Sequence, residues 1–253
     1  RFARYGFSVS AAGDVNGDGI DDLIIGAPRA LATGQLRTGE AYVVFGTDTG
    51  FPAAFNLSTL DGTNGFQLNG IDVNDYCGFA VAGAGDVNGD GIDDLVIGAP
   101  YADKTELDQT GEAYVVFGTD AGFPGFLNLS TLNGTNGFIL PGILGADYTG
   151  RSVSSAGDFN GDGVDDLIIG APGAARNGLP MTGASYVVFG RAPRPCVGDI
   201  GGDGDTSALD FTVLAGNFGT SVPPHTSGDL NGDGLVNAAD FVILAGDFGC
   251  GIP

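Results

Sequence analysis

Gly13-Asp14-Val15-Asn16-Gly17-Asp18-Gly19-Ile20-Asp21-Asp22-Leu23 recurs, nearly unchanged, at residues 85–95 and 157–167. Each copy sets oxygen-bearing side chains at alternate positions. Counted from the first Asp, positions 1, 3, 5 and 9 are Asp14, Asn16, Asp18 and Asp22. Position 7 is Ile20, whose carbonyl faces inward in a calcium-wrapping loop, and the glycine before it allows the sharp turn. The second copy offers Asp86, Asn88, Asp90, Ile92 and Asp94, and the third Asp158, Asn160, Asp162, Val164 and Asp166. Hard oxygens at this density suit calcium rather than zinc or copper. A plain Asp/Asn/Gly turn is the bland alternative, and three copies of one ligand pattern argue against it.

The residues after the loop decide its type. An EF-hand needs a carboxylate at position 12 and a helix beyond it. Here position 12 is Ile25, Ile97 or Ile169, inside Leu-Ile-Ile-Gly-Ala-Pro or Leu-Val-Ile-Gly-Ala-Pro. Three apolar residues closed by Gly-Ala-Pro fit a buried strand and are too short for a helix. Phe7 to Ala12 reads as another short strand. The ion therefore pins a hairpin.

The wider sequence is a repeat of 72 residues without gaps. Gly26-Ala27-Pro28 returns at Gly98 and Gly170, and Gly39-Glu40-Ala41-Tyr42-Val43-Val44-Phe45-Gly46 at 111–118 and, altered, at 183–190. A unit from Asn56 to Phe66 returns only once, at 128–138. Each full repeat supplies about four short strands, which is a propeller blade. These segments resemble FG-GAP repeats, the blades of integrin α-subunit heads and of many bacterial surface proteins. Gly-Ala-Pro is intact three times, while the Phe-Gly place reads Tyr5-Gly6, Cys77-Gly78 and Thr149-Gly150. The resemblance implies calcium ligands at positions 1, 3, 5, 7 and 9. It also implies a mainly β fold of three blades over residues 1–192, as an incomplete or open propeller. Three blades do not close a ring by the usual geometry, and an open stack exposes apolar faces and a strand edge. Either the chain is part of something longer, or copies of it join head to tail into an oligomer or filament.

Arg191-Ala192-Pro193-Arg194-Pro195 is a stiff, basic linker and a natural boundary. Over residues 193–253 a second repeat, of 30 residues, takes over. Asp229, Asn231, Asp233, Leu235, Asn237 and Asp240 occupy positions 1, 3, 5, 7, 9 and 12 of its second copy, and Phe241 to Ala245 can continue as a short helix. That is EF-hand logic. The first copy keeps Asp199, Asp203, Asp205, Ser207 and Asp210 but has Gly201 at position 3, so a weaker site is expected there. Two loop-helix units of this kind resemble a type I dockerin, a small α-helical bacterial module that binds cohesin domains. Dockerins often carry polar contact residues at positions 10 and 11; here those are Ala208-Leu209 and Ala238-Ala239. Cys196 and Cys250 flank the module, where a pseudo-twofold pair brings the ends close, so a disulfide is expected. Cys77 is left as a small buried thiol.

Nineteen of the 31 acids sit in these five loops, so the net charge of −22 is mostly local ligand clustering. About five bound calcium ions would cancel much of it. The acidity excludes nucleic acid as a natural partner, and no stretch approaches a membrane span. The chain starts at Arg1, which points to a removed signal peptide or an excerpt. Millimolar calcium outside cells suits such sites. His225, the only histidine, stands in a Pro-Pro-His turn, so no Ser/His/Asp set can be assembled. The expectation is a secreted, non-enzymatic calcium-binding structural or adhesion protein of bacterial type. It either self-assembles or is displayed through a cohesin-type partner while holding a ligand such as a surface glycan. A third possibility is a non-catalytic part of a polysaccharide-degrading complex.

Overall fold

The structure is a computed structural model that describes residues 5–30, 38–103, 109–175, 181–191 and 208–247, with Leu179, Gly198 and Ile200. The chain divides into two compact units, Arg1–Ala192 and Pro193–Pro253, and each is described by itself.

The first unit is three successive sheets, none closed on itself. The first repeat gives β1 (Ser8–Gly13), β2 (Asp22–Ala27), β3 (Glu40–Val44) and β4 (Gly65–Asn69). The second gives β5 (Ala80–Gly85), β6 (Asp94–Ala99), β7 (Glu112–Val116), a short β8 (Phe126–Asn128) and β9 (Gly137–Pro141). The third gives β10 (Ser152–Gly157), β11 (Asp166–Ala171) and β12 (Ala184–Val188), and among the described residues it has no fourth strand. Pairing among the strands of each single repeat is antiparallel. In every first hairpin the register slips at the same place, between Ala11 and Gly13, Gly83 and Gly85, and Ser155 and Gly157. The bulge glycines sit at φ +76°, +73° and +63°, a region closed to most L residues. The calcium-type loop springs from that bulge.

The blades stack with first strand beside first strand, β5 lying between β1 and β10. One core joins Val15, Ile24 and Val43 of blade one to Val81, Leu95, Ile97 and Tyr114 of blade two. A second joins Val87, Val96 and Val115 of blade two to Leu167 and Ile169 of blade three. The second strand shows what stacking does. β6 is buried at all six positions because a blade covers each of its faces. β2, with almost the same sequence, exposes Leu23, and β11 exposes Ile168. Those two residues lie on opposite faces of the repeat, since successive strand residues alternate sides.

β8 is the element that sequence reasoning missed. It leaves the second repeat and pairs in parallel with β4, Gln67 against Phe126 and Asn69 against Asn128, becoming the fifth strand of blade one. Asn69 Nδ2 donates to Asn128 Oδ1 at 2.9 Å. Just before β8, the Phe123 ring stacks on Phe66 with centroids 4.1 Å apart and planes within 7°. The strand and the ring together lash blade two to blade one. The equivalent aromatic of the first repeat, Phe51, meets only the edge of Phe55 and is exposed. A cavity of about 150 Å³ opens between blades two and three, among Phe117, Phe138, Leu167, Val188 and Phe189.

In the second unit, α1 (Ala208–Asn217) and α2 (Ala238–Asp247) pack through Leu214, Val236 and Leu244, with Ile200, Val222 and Leu230 against them. α2 begins three residues earlier than Phe241, because Asn237 accepts the N–H of Ala239 and opens the helix as its cap.

Phe123 and Phe51 share a repeat position but not a role. Phe123→Ala should lower stability by about 2–4 kcal/mol, as expected for deleting a packed aromatic ring. Phe51→Ala in the monomeric protein should change it by less than about 0.5 kcal/mol. Denaturant melts of the two variants check this, and equal losses would contradict the asymmetry.

Candidate metal centres

Each blade loop folds around its own first carboxylate. In loop one the N–H of Asp18 donates to Asp14 Oδ1 and to Asn16 Oδ1, both at 3.0 Å, and that of Gly19 to Asp14 Oδ2 at 2.7 Å. The N–H of Ile20 donates to Asp18 Oδ1 at 2.9 Å. Loops two and three repeat these bonds around Asp86 and Asp158. The glycine at position 6 turns the chain at φ +86°, +88° and +91°. Positions 1, 3 and 5 are thereby gathered on one side of a tight coil, with Asn16 Nδ2 also reaching Asp18 Oδ2 at 3.1 Å.

Position 9 behaves differently. Asp22 is buried, and its oxygens accept the N–H of Val15 at 3.1 Å and of Gly46 at 2.7 Å. Asp94 does the same with Val87 and Gly118, and Asp166 with Phe159, Asn160 and Gly190. This residue ties the loop to the far end of the third strand. Burial pushes the Asp22 carboxyl up to about 6, against the pull of those two N–H groups, with Asp18 and Asp14 adding like-charge repulsion. Asp94 rises to about 7 for the same reasons, with Asp90 and Asp86 as the repelling neighbours.

Among the described residues no three His, Cys, Asp or Glu side chains stand together as a preformed metal cage. The donor set nevertheless fits a hard cation. It includes Asn and a main-chain carbonyl as well as carboxylates. The position 9 oxygens each take one N–H, except Asp166 Oδ2, which takes two. A carboxylate offers about four lone-pair sites. The charges crowded at positions 1, 5 and 9 repel one another until a cation neutralises them.

The second unit contains the same coil. Asp229 Oδ1 accepts from Gly232 and Asp233, Asp229 Oδ2 from Gly234, Asn231 Oδ1 from Asp233, and Asp233 Oδ1 from Leu235. Asp240, buried in the first turn of α2, closes the loop by accepting from Leu230, Asn231 and Asn237. The sister residue Asp210 is buried and accepts from Ile200 at 2.8 Å. Asp199, Asp203, Asp205, Ser207, Cys196 and Cys250 lie outside the described residues. Cys77 is a fully buried free thiol, which its surroundings push well above the usual thiol range by desolvation first and the nearby Asp75 next.

The FG-GAP repeat family matches residues 5–44, 78–116 and 149–188, and the dockerin type I family matches residues 197–248. The chain carries three FG-GAP repeats followed by a type I dockerin domain. FG-GAP and dockerin domains are non-catalytic modules, and type I dockerins bind calcium. Among curated proteins, the FG-GAP region is similar to phosphatidylinositol-glycan-specific phospholipase D of Bos taurus, 33% identical over 177 residues, 70% of this chain and 20% of that one. Integrin alpha-5 of Xenopus laevis is 29% identical over 224 residues, covering 87% of this chain and 17% of the integrin. Integrin alpha pat-2 of Caenorhabditis elegans is 35% identical over 193 residues, 72% of this chain and 13% of that one. The chain thus spans a fifth or less of the length of these relatives. A solved type II cohesin-dockerin domain from Bacteroides cellolosolvens is 40% identical, covering 22% of this chain and 87% of that chain at a TM-score of 0.20.

The FG-GAP loops also hold functional residues that the ligand pattern does not include. Position 8 is Asp in all three: Asp21, Asp93 and Asp165. Asp93 reaches back to blade one, where its Oδ2 accepts the N–H of Asp14 at 2.9 Å while its own N–H donates to the Asp14 carbonyl. Asp165 repeats this on Asp86. The close approach explains the bulge glycine: a Cβ on Gly13 would lie 2.1 Å from Asp93 Oδ2, and one on Gly85 2.0 Å from Asp165 Oδ2. The signal was in the sequence. Position 8 of the dockerin loop is Val236, a core residue, so an invariant blade Asp there serves something other than the ion.

Two neighbouring acids in one loop should therefore respond differently to calcium. Asp90→Ala removes a ligand position and should lower the melting temperature in calcium but leave it almost unchanged in chelator. Asp93→Ala strands the Asp14 N–H and should cost about 1–2 kcal/mol in both conditions. Calorimetry of both variants in each buffer distinguishes them, and an Asp90 effect that persists in chelator would contradict ion binding.

Proposed function

We propose that this chain is a non-catalytic extracellular module. Its dockerin domain docks to a cohesin-type partner and so displays a calcium-stabilised FG-GAP array. The dockerin match over residues 197–248 carries this reading. Its support in the geometry is an exposed aromatic pair at the start of the two helices. Phe211 and Phe241 occupy equivalent repeat positions, their rings 6.1 Å apart, and Leu209 and Val242 are exposed near them. Apolar residues therefore stand close to the loop positions where polar contacts are usual, and the aromatic pair is the natural anchor for a partner.

The ions have a structural role in this reading. Positions 1, 3, 5, 7 and 9 of the three blade loops, and the two dockerin loops, hold about five calcium ions. They remove the repulsion that the clustered acids otherwise impose. Sites of this kind fill at extracellular calcium levels. No helix among the described residues is long and apolar enough to cross a membrane.

A second reading is favoured by the faces of the blade stack. Blade one exposes Val9 and Leu23, and blade three exposes Phe159, Ile168 and Phe189. Apolar surface of this extent favours association of the array with copies of itself.

Titration calorimetry with a type I cohesin domain tests docking. One-to-one binding is expected in calcium, lost in chelator, and weakened at least about tenfold by the Phe211→Ala, Phe241→Ala double substitution. Absence of binding in calcium would remove the docking reading.

A further inference from the structure

The chain builds the same blade-to-blade interface twice, and its two outer faces are the separated halves of a third. We infer that the back of blade three receives the front of blade one of a second copy of this chain, with Asp21 capping the N–H of Asp158. The inference rests on the self-association reading and is independent of docking.

Residue equivalence across the 72-residue repeat supports it. On the back face, Val15 and Val87 are 0% and 4% exposed where a blade follows, but their counterpart Phe159 is 68% exposed. Val43 and Val115 are both 0% exposed, against 37% for Val187. On the front face, Leu95 and Leu167 are each 1% exposed where a blade precedes, but Leu23 is 51% exposed. Val81 is 5% exposed and Val9 is 67%. The exposed sets are thus the complementary sides of one packing pattern rather than two unrelated patches.

The polar bonds are halved in the same way. At each internal junction the N–H at position 1 donates to the next blade's position 8 carboxylate, and the N–H at position 8 donates to the position 1 carbonyl. A third bond runs from Thr119 N–H to the Val15 carbonyl, and from Arg191 N–H to the Val87 carbonyl. The matching groups at the outer faces are the N–H and carbonyl of Asp158 with the carbonyl of Phe159, and the carboxylate and N–H of Asp21 with the N–H of Thr47. Space is reserved for the contact. A Cβ on Gly13 or Gly85 would strike the neighbour's aspartate, whereas one on Gly157, at the same bulge, meets nothing within 4 Å. Phe51, the unplugged counterpart of Phe123, would meet Phe189 as Phe123 meets Phe45 at 6.1 Å. Front and back are different surfaces, so the contact is heterologous. It grows into a filament, or closes as a two-chain ring of six blades, within the usual range for propellers.

Paired blocking variants of the full chain test this in calcium by sedimentation velocity. Val9→Glu with Leu23→Glu blocks the front, and Ile168→Glu with Val187→Glu blocks the back. All four positions are exposed, so each variant should melt as the unassociated wild type does. The wild type should associate with rising concentration, and each variant alone should stay monomeric. Their equimolar mixture should form a dimer and stop there, since only one live front and one live back remain. Asp21→Ala should weaken wild-type association about tenfold or more. A wild type that stays monomeric would overturn the inference, whether the dockerin unit or further blades of a longer polypeptide cover the faces. So would association that survives either block, or a mixture that fails to dimerise. Cohesin binding by the same variants reports on docking separately.

Discussion

The contact between a position 8 aspartate and the main chain of the preceding loop sets the geometry of the stack. Asp93 on Asp14 and Asp165 on Asp86 fix one blade against the next at the loop end. That contact requires a bulge, because the register slip turns the position 1 N–H outward. It also requires glycine at the bulge, because any Cβ would occupy the space of the carboxylate. From this point the first strands lie side by side, and the alternating apolar residues of each sheet meet those of the next. The cores between blades then follow from strand periodicity.

The loops and the blade contacts use neighbouring residues of one stretch and separate their tasks by sequence position. Positions 1, 3 and 5 coil around their own backbone N–H groups and present oxygens together. Position 9 is buried and ties the hairpin to the third strand. Position 8 reaches out to the neighbour. One eleven-residue stretch therefore sets the candidate ion site, the hairpin and the inter-blade joint. Asp18 and Asp14 already repel the buried Asp22, and Asp90 and Asp86 the buried Asp94, so each loop carries like charges that a bound cation would neutralise. The dockerin unit reuses the coil for another purpose. There position 8 is a core valine, and position 12 is a buried aspartate in the first turn of a helix that closes the loop.

The strand β8 and the ring of Phe123 show a second way of joining blades. A connection within the second repeat detours to the outer edge of blade one, closes that edge and fills an aromatic socket. In the first repeat the equivalent Phe51 meets the edge of Phe55 and stays exposed. Between blades two and three a cavity remains beside Phe138. The two ends of the array are thus chemically unlike.

Local sequence determined the hairpins, the loops with their oxygen pattern, the Gly-Ala-Pro strand ends and the two loop-helix units. Each depends on residues near one another in the chain: Asp and Asn on neighbouring N–H groups, glycine at positive φ, and short apolar runs. Tertiary structure decided what identical residues do. Leu23, Leu95 and Leu167 have nearly the same neighbours in sequence, yet only Leu23 is exposed, because burial depends on whether a blade packs against that face. Asp21, Asp93 and Asp165 read alike, and only the latter two have a loop to cap. β8 could not be read at all, since its hydrogen-bonding partner lies some sixty residues away and its three residues carry no pattern of their own. Repetition fixes the unit, but a unit's place in the stack fixes which of its faces remain free to bind.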